Sequence, residues 1–175
     1  MTFEFKILDS IQELHTPILT GIMKIASKLG DMGFVWILLA VILLLFPKTR
    51  KAGVLVTAAL ILDVITCNVI LKPLIARTRP YDVNTAIELL IAAPKDFSFP
   101  SGHTAASFAS VSALWFAGKK KLWAPALVLA VLIACSRMYF YVHYPTDVLC
   151  GAFLGTGCGY TAYKLLEKRL AKQAS

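Results

Sequence analysis

A chain of 175 residues is long enough for one domain, and a composition of 58% hydrophobic and 16% charged residues is outside the soluble globular range. The formal charge of +8 does not point to nucleic acid, because the basic residues sit in short loops between apolar runs, as in loops that face anionic lipid. Cys67, Cys135, Cys150 and Cys158 lie inside apolar runs without a Cys-x-x-Cys pair, so they are expected as small buried hydrophobes rather than as a disulfide framework or zinc site.

Most of the apolar runs approach or reach membrane length, about 20 residues. The chain is therefore expected to be an all-α, polytopic membrane bundle of about six transmembrane helices, forming one domain over 1–175. No cleavable signal is expected, because the N-terminus is mixed and amphipathic. Phe5, Ile7, Leu8, Ile11 and Leu14 recur at helical spacing, and a first, irregular crossing is expected over 5–30 with a kink at Pro17. Gly30-Asp31-Met32-Gly33 is a turn. A short second span over 34–46 ends at Pro47 and the basic loop 48–51. A third covers 52–71 and carries Asp63 and Asn68 at membrane depth, where a helix-to-helix hydrogen bond is favoured over a substrate role.

Residues 72–101 form the longest polar connection, with 86–93 as a possible short helix, and a loop of this length in a compact bundle points to function. The fourth, fifth and sixth spans cover 102–117, 122–142 and 145–166, followed by a basic, polar tail over 167–175. Gly151, Gly155 and Gly159 place a small-residue stripe on the sixth span, suited to close helix packing within the bundle or, less favoured, to dimerisation. Placing loops 48–51 and 119–121 and the tail in the cytoplasm satisfies the positive-inside rule with both termini inside. Lys72, Arg79, His103, Arg137 and His143 then share the extracytoplasmic side.

Those residues suit attack on a phosphate. Phosphoryl transfer depends mostly on positioning and on stabilising charge over the non-bridging oxygens. Lys72, Arg79 and Arg137 supply fixed cations. Ser101 is placed to cap the helix that begins near Gly102, whose first N–H groups make an anion seat, and Gly102 permits close backbone approach. His143 stands four residues before Asp147, with Pro145 suited to the first helical position. Asp147 can hold one imidazole nitrogen and leave the other free to attack phosphorus, while protonated His103 can donate to the leaving oxygen. His15, with no carboxylate at a matching spacing, is expected to be structural, and Arg77 and Lys95 to be solvated loop charges.

Three blocks then stand in order: Lys72, six residues, Arg79-Pro80; Pro100-Ser101-Gly102-His103; and Ser136-Arg137, five residues, His143, three residues, Asp147. This resembles the three-part signature of the type 2 phosphatidic acid phosphatase superfamily, with no signature position substituted. The resemblance implies His143 as the nucleophile that becomes a phosphohistidine, Asp147 as its assistant and His103 as the proton donor. It also implies that Lys72, Arg79, Ser101, Gly102 and Arg137 hold the phosphoryl group, with no metal and no cofactor. Substrates implied for small bacterial membrane members are lipid phosphates and diphosphates at the outer face of the cytoplasmic membrane. Undecaprenyl diphosphate is favoured among them, with phosphatidylglycerophosphate, phosphatidic acid and diacylglycerol diphosphate as alternatives. Two other functions compete: a vanadium haloperoxidase, disfavoured by the spans, and a non-catalytic lipid-binding or transport protein, disfavoured by the intact His143 and Asp147. Lipid selectivity is expected to lie in 81–99, where Tyr81, Phe97 and Phe99 can reach lipid or cover the site.

Overall fold

The computed structural model describes residues 3–172, with side chains through residue 167. All regular structure among the described residues is helical. Three helical runs are long and apolar enough to cross a membrane: Pro17–Leu45, Arg50–Val83 and Lys120–Tyr139. Most of the expected basic tail lies outside the residues whose side chains are described.

The N-terminal region differs from the expected single crossing. Helix α1, Phe3–Gln12, stops well before Pro17, and α2, Pro17–Gly30, is a separate helix. Pro17 occupies its first position, where the missing N–H costs no hydrogen bond, and the Thr16 side chain caps it by accepting from Leu19 N at 3.3 Å. The proline starts a helix here instead of kinking one. A tight turn, Asp31–Gly33, follows, with Met32 at φ 50° and Gly33 at φ 69°, and α3 runs over Phe34–Leu45.

Helix α4, Arg50–Asp63, widens into π-helical turns over Val64–Leu71 and closes as α5, Lys72–Ile75. Lys72 therefore belongs to a continuous helical run, and the long connection begins only at Ala76, where φ of 48° breaks the helix. The short helix expected at 86–93 is absent; α6, Pro80–Val83, lies nearer the helix end, with Pro80 at its first position. Ile87, Leu89 and Ile91 instead alternate, packing against the clusters of Tyr141 with Tyr144 and of Phe140 with Val142. A spacing of two is the period of extended backbone.

The bundle is built around α7, Gly102–Phe116, a helix of small residues packed against α4, α8 (Lys120–Tyr139) and α9 (Pro145–Lys172). The glycine stripe of α9 is what lets α7 approach. A Cβ at Gly151 would lie 2.7 Å from Ser101 O, and one at Gly159 would lie 2.6 Å from Ser112 Cβ. The hydroxyls of α7 are satisfied locally or across helices: Ser112 donates to Thr156 O at 3.0 Å, and Ser107 accepts from Trp36 Nε1 at 2.9 Å. The four cysteines are free, as small hydrophobes would be.

Every helix that carries a signature residue presents it at the same end. Lys72 closes the α4–α5 run, Ser101 and His103 open α7, Arg137 closes α8, and Asp147 opens α9. The basic loops meet at the other end of these helices, where Lys119 Nζ donates to Lys48 O at 2.9 Å.

Candidate active site

Lys72, Arg79, His143 and Asp147 join through direct contacts or a shared neighbour, Asp96, while the side chains of Ser101, His103 and Arg137 have partners of their own. His143 follows the irregular turn at Tyr141, whose φ is 58°, and is 1% exposed. Its Nδ1 faces Asp147 Oδ2 at 3.5 Å, the outer edge of hydrogen-bond distance, and has no other partner among the described residues. Its Nε2 lies 3.3 Å from Arg79 Nη1. Pro145 opens α9 between them, so the four-residue separation sets both side chains on one turn. Burial, with Arg79 and Arg137 nearby and against the pull of Asp147, presses the His143 pKa from 6.5 to about 3. The imidazole is thus held neutral, with a lone pair available.

Asp147 is fixed by more than the histidine. Its Oδ2 accepts from Ser98 Oγ at 2.5 Å and from Tyr144 N at 2.9 Å, and its Oδ1 accepts from Arg77 Nη1 at 2.5 Å. Arg77 also donates to Thr146 Oγ1 at 2.7 Å and to Glu4 Oε2 at 2.6 Å, and its guanidinium lies 3.8 Å from the Tyr144 ring centroid. Arg77 is therefore not a solvated loop charge. It ties α1 to the carboxylate behind His143. Its spacing to Asp147 along the chain carries no signal, which is why sequence reasoning missed it, along with Ser98.

The cations carry partners that the sequence did not suggest. Arg79, 3% exposed, donates to Val142 O at 2.6 Å, to Asp96 O at 2.7 Å and to Asp96 Oδ1 at 2.6 Å. Lys72 pairs with the second oxygen of Asp96. Burial works to raise the Asp96 pKa, but Lys72 and Arg79 outweigh it and hold it at about 2. Arg137 is buried and donates through Nη1 to Ser27 Oγ, while its Nε has no partner among the described residues.

Ser101 is fully buried at the start of α7, but its hydroxyl does not cap the helix backbone; it accepts from Thr104 Oγ1 at 3.0 Å. With ψ of 107°, the Ser101 backbone donates instead to Asp147 O at 3.1 Å, joining the starts of α7 and α9. A Cβ at Gly102 would come within 3.1 Å of Asn68 Oδ1 and 3.9 Å of Lys72 Cε, so the bare backbone admits the end of the α4–α5 run. His103 Nε2 pairs with Asp31 Oδ1 at 2.9 Å, a partner supplied by the turn between α2 and α3.

A cavity of about 450 Å³ opens beside His103, Lys72 and Asp96 and is continued by Ile37, Leu60 and Val64. Asp63, Asn68 and Gly102 also line it. Asp63 Oδ1 has no hydrogen-bond partner among the described residues, so the expected helix-to-helix bond is not made by that atom. His15 is structural as expected, with Nε2 3.1 Å from Tyr139 O and its ring 4.1 Å from the Tyr139 ring. Lys95 is exposed. Of the loop aromatics, Tyr81 donates to Pro94 O at 2.7 Å, and Phe97 is exposed beside a second cavity. Among the described residues, no three His, Cys, Asp or Glu side chains converge in a way that could hold a metal ion.

Residues 52–171 match the sequence model of the PAP2 superfamily. An undecaprenyl-diphosphatase of Sulfolobus acidocaldarius is 30% identical, over 93% of this chain and 78% of the relative. Among solved structures, Aquifex aeolicus LpxE superposes with a TM-score of 0.79 at 28% identity, over 94% of this chain and 96% of that one. A transmembrane PAP2-type phosphatidylglycerolphosphate phosphatase from Bacillus subtilis superposes at 0.75 and 28% identity, over 93% and 84%.

Proposed function

This chain belongs to the PAP2 superfamily, the type 2 phosphatidic acid phosphatases, and is an integral-membrane lipid phosphatase; on that premise we propose that it hydrolyses undecaprenyl diphosphate through a phosphohistidine at His143. The observation that carries the mechanism is the buried imidazole held neutral between Asp147 and Arg79.

In the first step His143 Nε2 attacks the terminal phosphorus as the bond to the bridging oxygen breaks. Nδ1 keeps its proton, and the positive charge that develops on the ring is balanced by Asp147 at 3.5 Å. Undecaprenyl phosphate leaves, its oxygen taking the proton from His103, whose Nε2 is held by Asp31 Oδ1 at 2.9 Å. In the second step His103 takes a proton from water, whose oxygen attacks phosphorus and breaks the P–N bond. Inorganic phosphate departs and His143 returns to its neutral form. Lys72, Arg79 and Arg137 bind the non-bridging oxygens. The unpartnered Arg137 Nε is a donor that such an oxygen satisfies, and the first N–H groups of α7 at Gly102 supply further donors. Ser101 places that turn of α7 against α9 through its bond to Asp147 O.

The chain crosses the bacterial cytoplasmic membrane about six times, with the site outward and both termini in the cytoplasm. This is supported by the meeting of basic loops 48–51 and 119–121 opposite the site. A second substrate reading, phosphatidylglycerophosphate, is favoured by the likeness to the Bacillus subtilis phosphatase. Phosphate release by the purified protein, with undecaprenyl diphosphate, phosphatidylglycerophosphate and phosphatidic acid tested side by side, decides between them. Highest kcat/KM for undecaprenyl diphosphate is expected; a preference for either glycerolipid would overturn the assignment of substrate.

A further inference from the structure

Asp96 stands where the phosphoryl group of the proposed reaction must bind. One carboxylate oxygen is in contact with Lys72 Nζ, and the other accepts from Arg79 Nη2 at 2.6 Å. A phosphoryl oxygen and a carboxylate oxygen need the same donors and cannot both take them. The two cations are buried, with side chains 8% and 3% exposed, whereas the Asp96 side chain is 53% exposed. It reaches inward from solvent rather than belonging to the core.

The backbone around Asp96 is pinned independently of its side chain. Tyr81 holds Pro94 O on one side, and Ser98 N donates to Arg77 O at 2.8 Å on the other. Arg79 Nε holds the Asp96 carbonyl itself at 2.7 Å. A rotation of the Asp96 side chain toward solvent therefore frees Lys72 Nζ and one N–H of Arg79 Nη2, whose other partner is Phe97 O at 3.4 Å, without moving the loop. Asp96 also lies at the junction of the two cavities, and the first of them continues from Lys72 and His103 into apolar walls at Ile37, Leu60 and Val64.

We propose that Asp96 is a specificity-determining residue: its carboxylate serves as an internal anion on Lys72 and Arg79 that free inorganic phosphate displaces poorly and a lipid-anchored phosphate displaces well. This rests on the assignment of Lys72 and Arg79 to the phosphoryl group. Exchanging one anion for another at the same donors gains little. A lipid substrate adds the burial of its chain in the apolar end of the cavity, which free phosphate lacks. The arrangement keeps the product from occupying the site and leaves lipid phosphate as the favoured ligand.

The test is equilibrium binding of inorganic phosphate to the purified full chain in detergent, read as the shift of its thermal unfolding midpoint with phosphate concentration. Asp96→Asn and Asp96→Ala should each bind phosphate at least about tenfold more tightly than the wild type, the scale of one removed charge contact. Asp96→Glu, which keeps the charge, should bind no more tightly than the wild type. Unchanged or weaker binding in Asp96→Asn and Asp96→Ala, with wild-type binding intact, overturns the proposal and makes Asp96 a support for the cations. Tightening in Asp96→Glu equal to that in Asp96→Asn overturns it as well. Absence of phosphate binding in the wild type and in all three variants overturns the phosphoryl site itself along with the proposal.

Discussion

At the scale of single residues, the site pairs Lys72 and Arg79 with Asp96, and Arg77 with Asp147. His143 refuses a proton until about pH 3, while the same side chain in an unfolded chain accepts one near 6.5. Above 6.5 both states are neutral and the group contributes nothing to pH dependence. As pH falls from 6.5 toward 3 the unfolded chain alone takes up the proton, so stability is lost. Acidification from pH 7 to 5 should therefore lower the unfolding midpoint less in His143→Gln than in the wild type; equal losses would place the burden on other groups. The His143 ring signals in NMR should stay those of a neutral imidazole from pH 8 to 5, and a titration near 6.5 would contradict the environment described. Arg77→Ala removes a charge-assisted hydrogen bond to Asp147 worth roughly 1.5–3 kcal/mol, so kcat should fall about tenfold to a hundredfold. Arg77→Lys keeps a charge without the fork that spans Asp147 and Glu4, and should recover only part of that loss.

At the scale of elements, the approach of α7 to α9 sets the site, because Ser101 and His103 open one helix and Asp147 the other. Gly155 is the tightest point, its added Cβ falling against the backbone of Ala105, while Gly157 two residues on has nothing near it. Gly155→Ala should destabilise by about 1–3 kcal/mol and impair activity. Gly157→Ala should be neutral or stabilising by up to about 1 kcal/mol, since alanine favours the helix. Equal effects at the two positions, in thermal unfolding, would refute the close approach. Much of this level was legible in the sequence: the turn at 30–33, the long apolar runs, the start of α9 at Pro145 and the glycine stripe all follow from local rules. The rest was not, because it depends on partners far along the chain. Arg77 looks like any loop cation until Glu4, Thr146 and Asp147 are brought to it. Asp31 and Asp96 gain meaning only beside His103 and the Lys72–Arg79 pair. The alternation of Ile87, Leu89 and Ile91 was a readable signal against a helix over 86–93, masked by the helix-forming alanines at 86, 92 and 93.

At the scale of the whole molecule, helix ends sort into two sets, signature side chains at one and basic loops at the other. A membrane-impermeant thiol reagent applied to intact cells should label a cysteine introduced at the exposed Lys95 and not one at Lys121, in a background whose native cysteines are replaced. The reverse pattern would turn the proposed orientation around. Passage of the phosphoryl group through His143 is tested by rapid quenching of the purified enzyme with undecaprenyl diphosphate radiolabelled in its terminal phosphate. A labelled protein is expected whose bond survives alkali and breaks in acid, as a phosphoramidate does, formed with a metal chelator present and lost in His143→Ala. Turnover that persists in His143→Ala, or label carried by another residue, would contradict it.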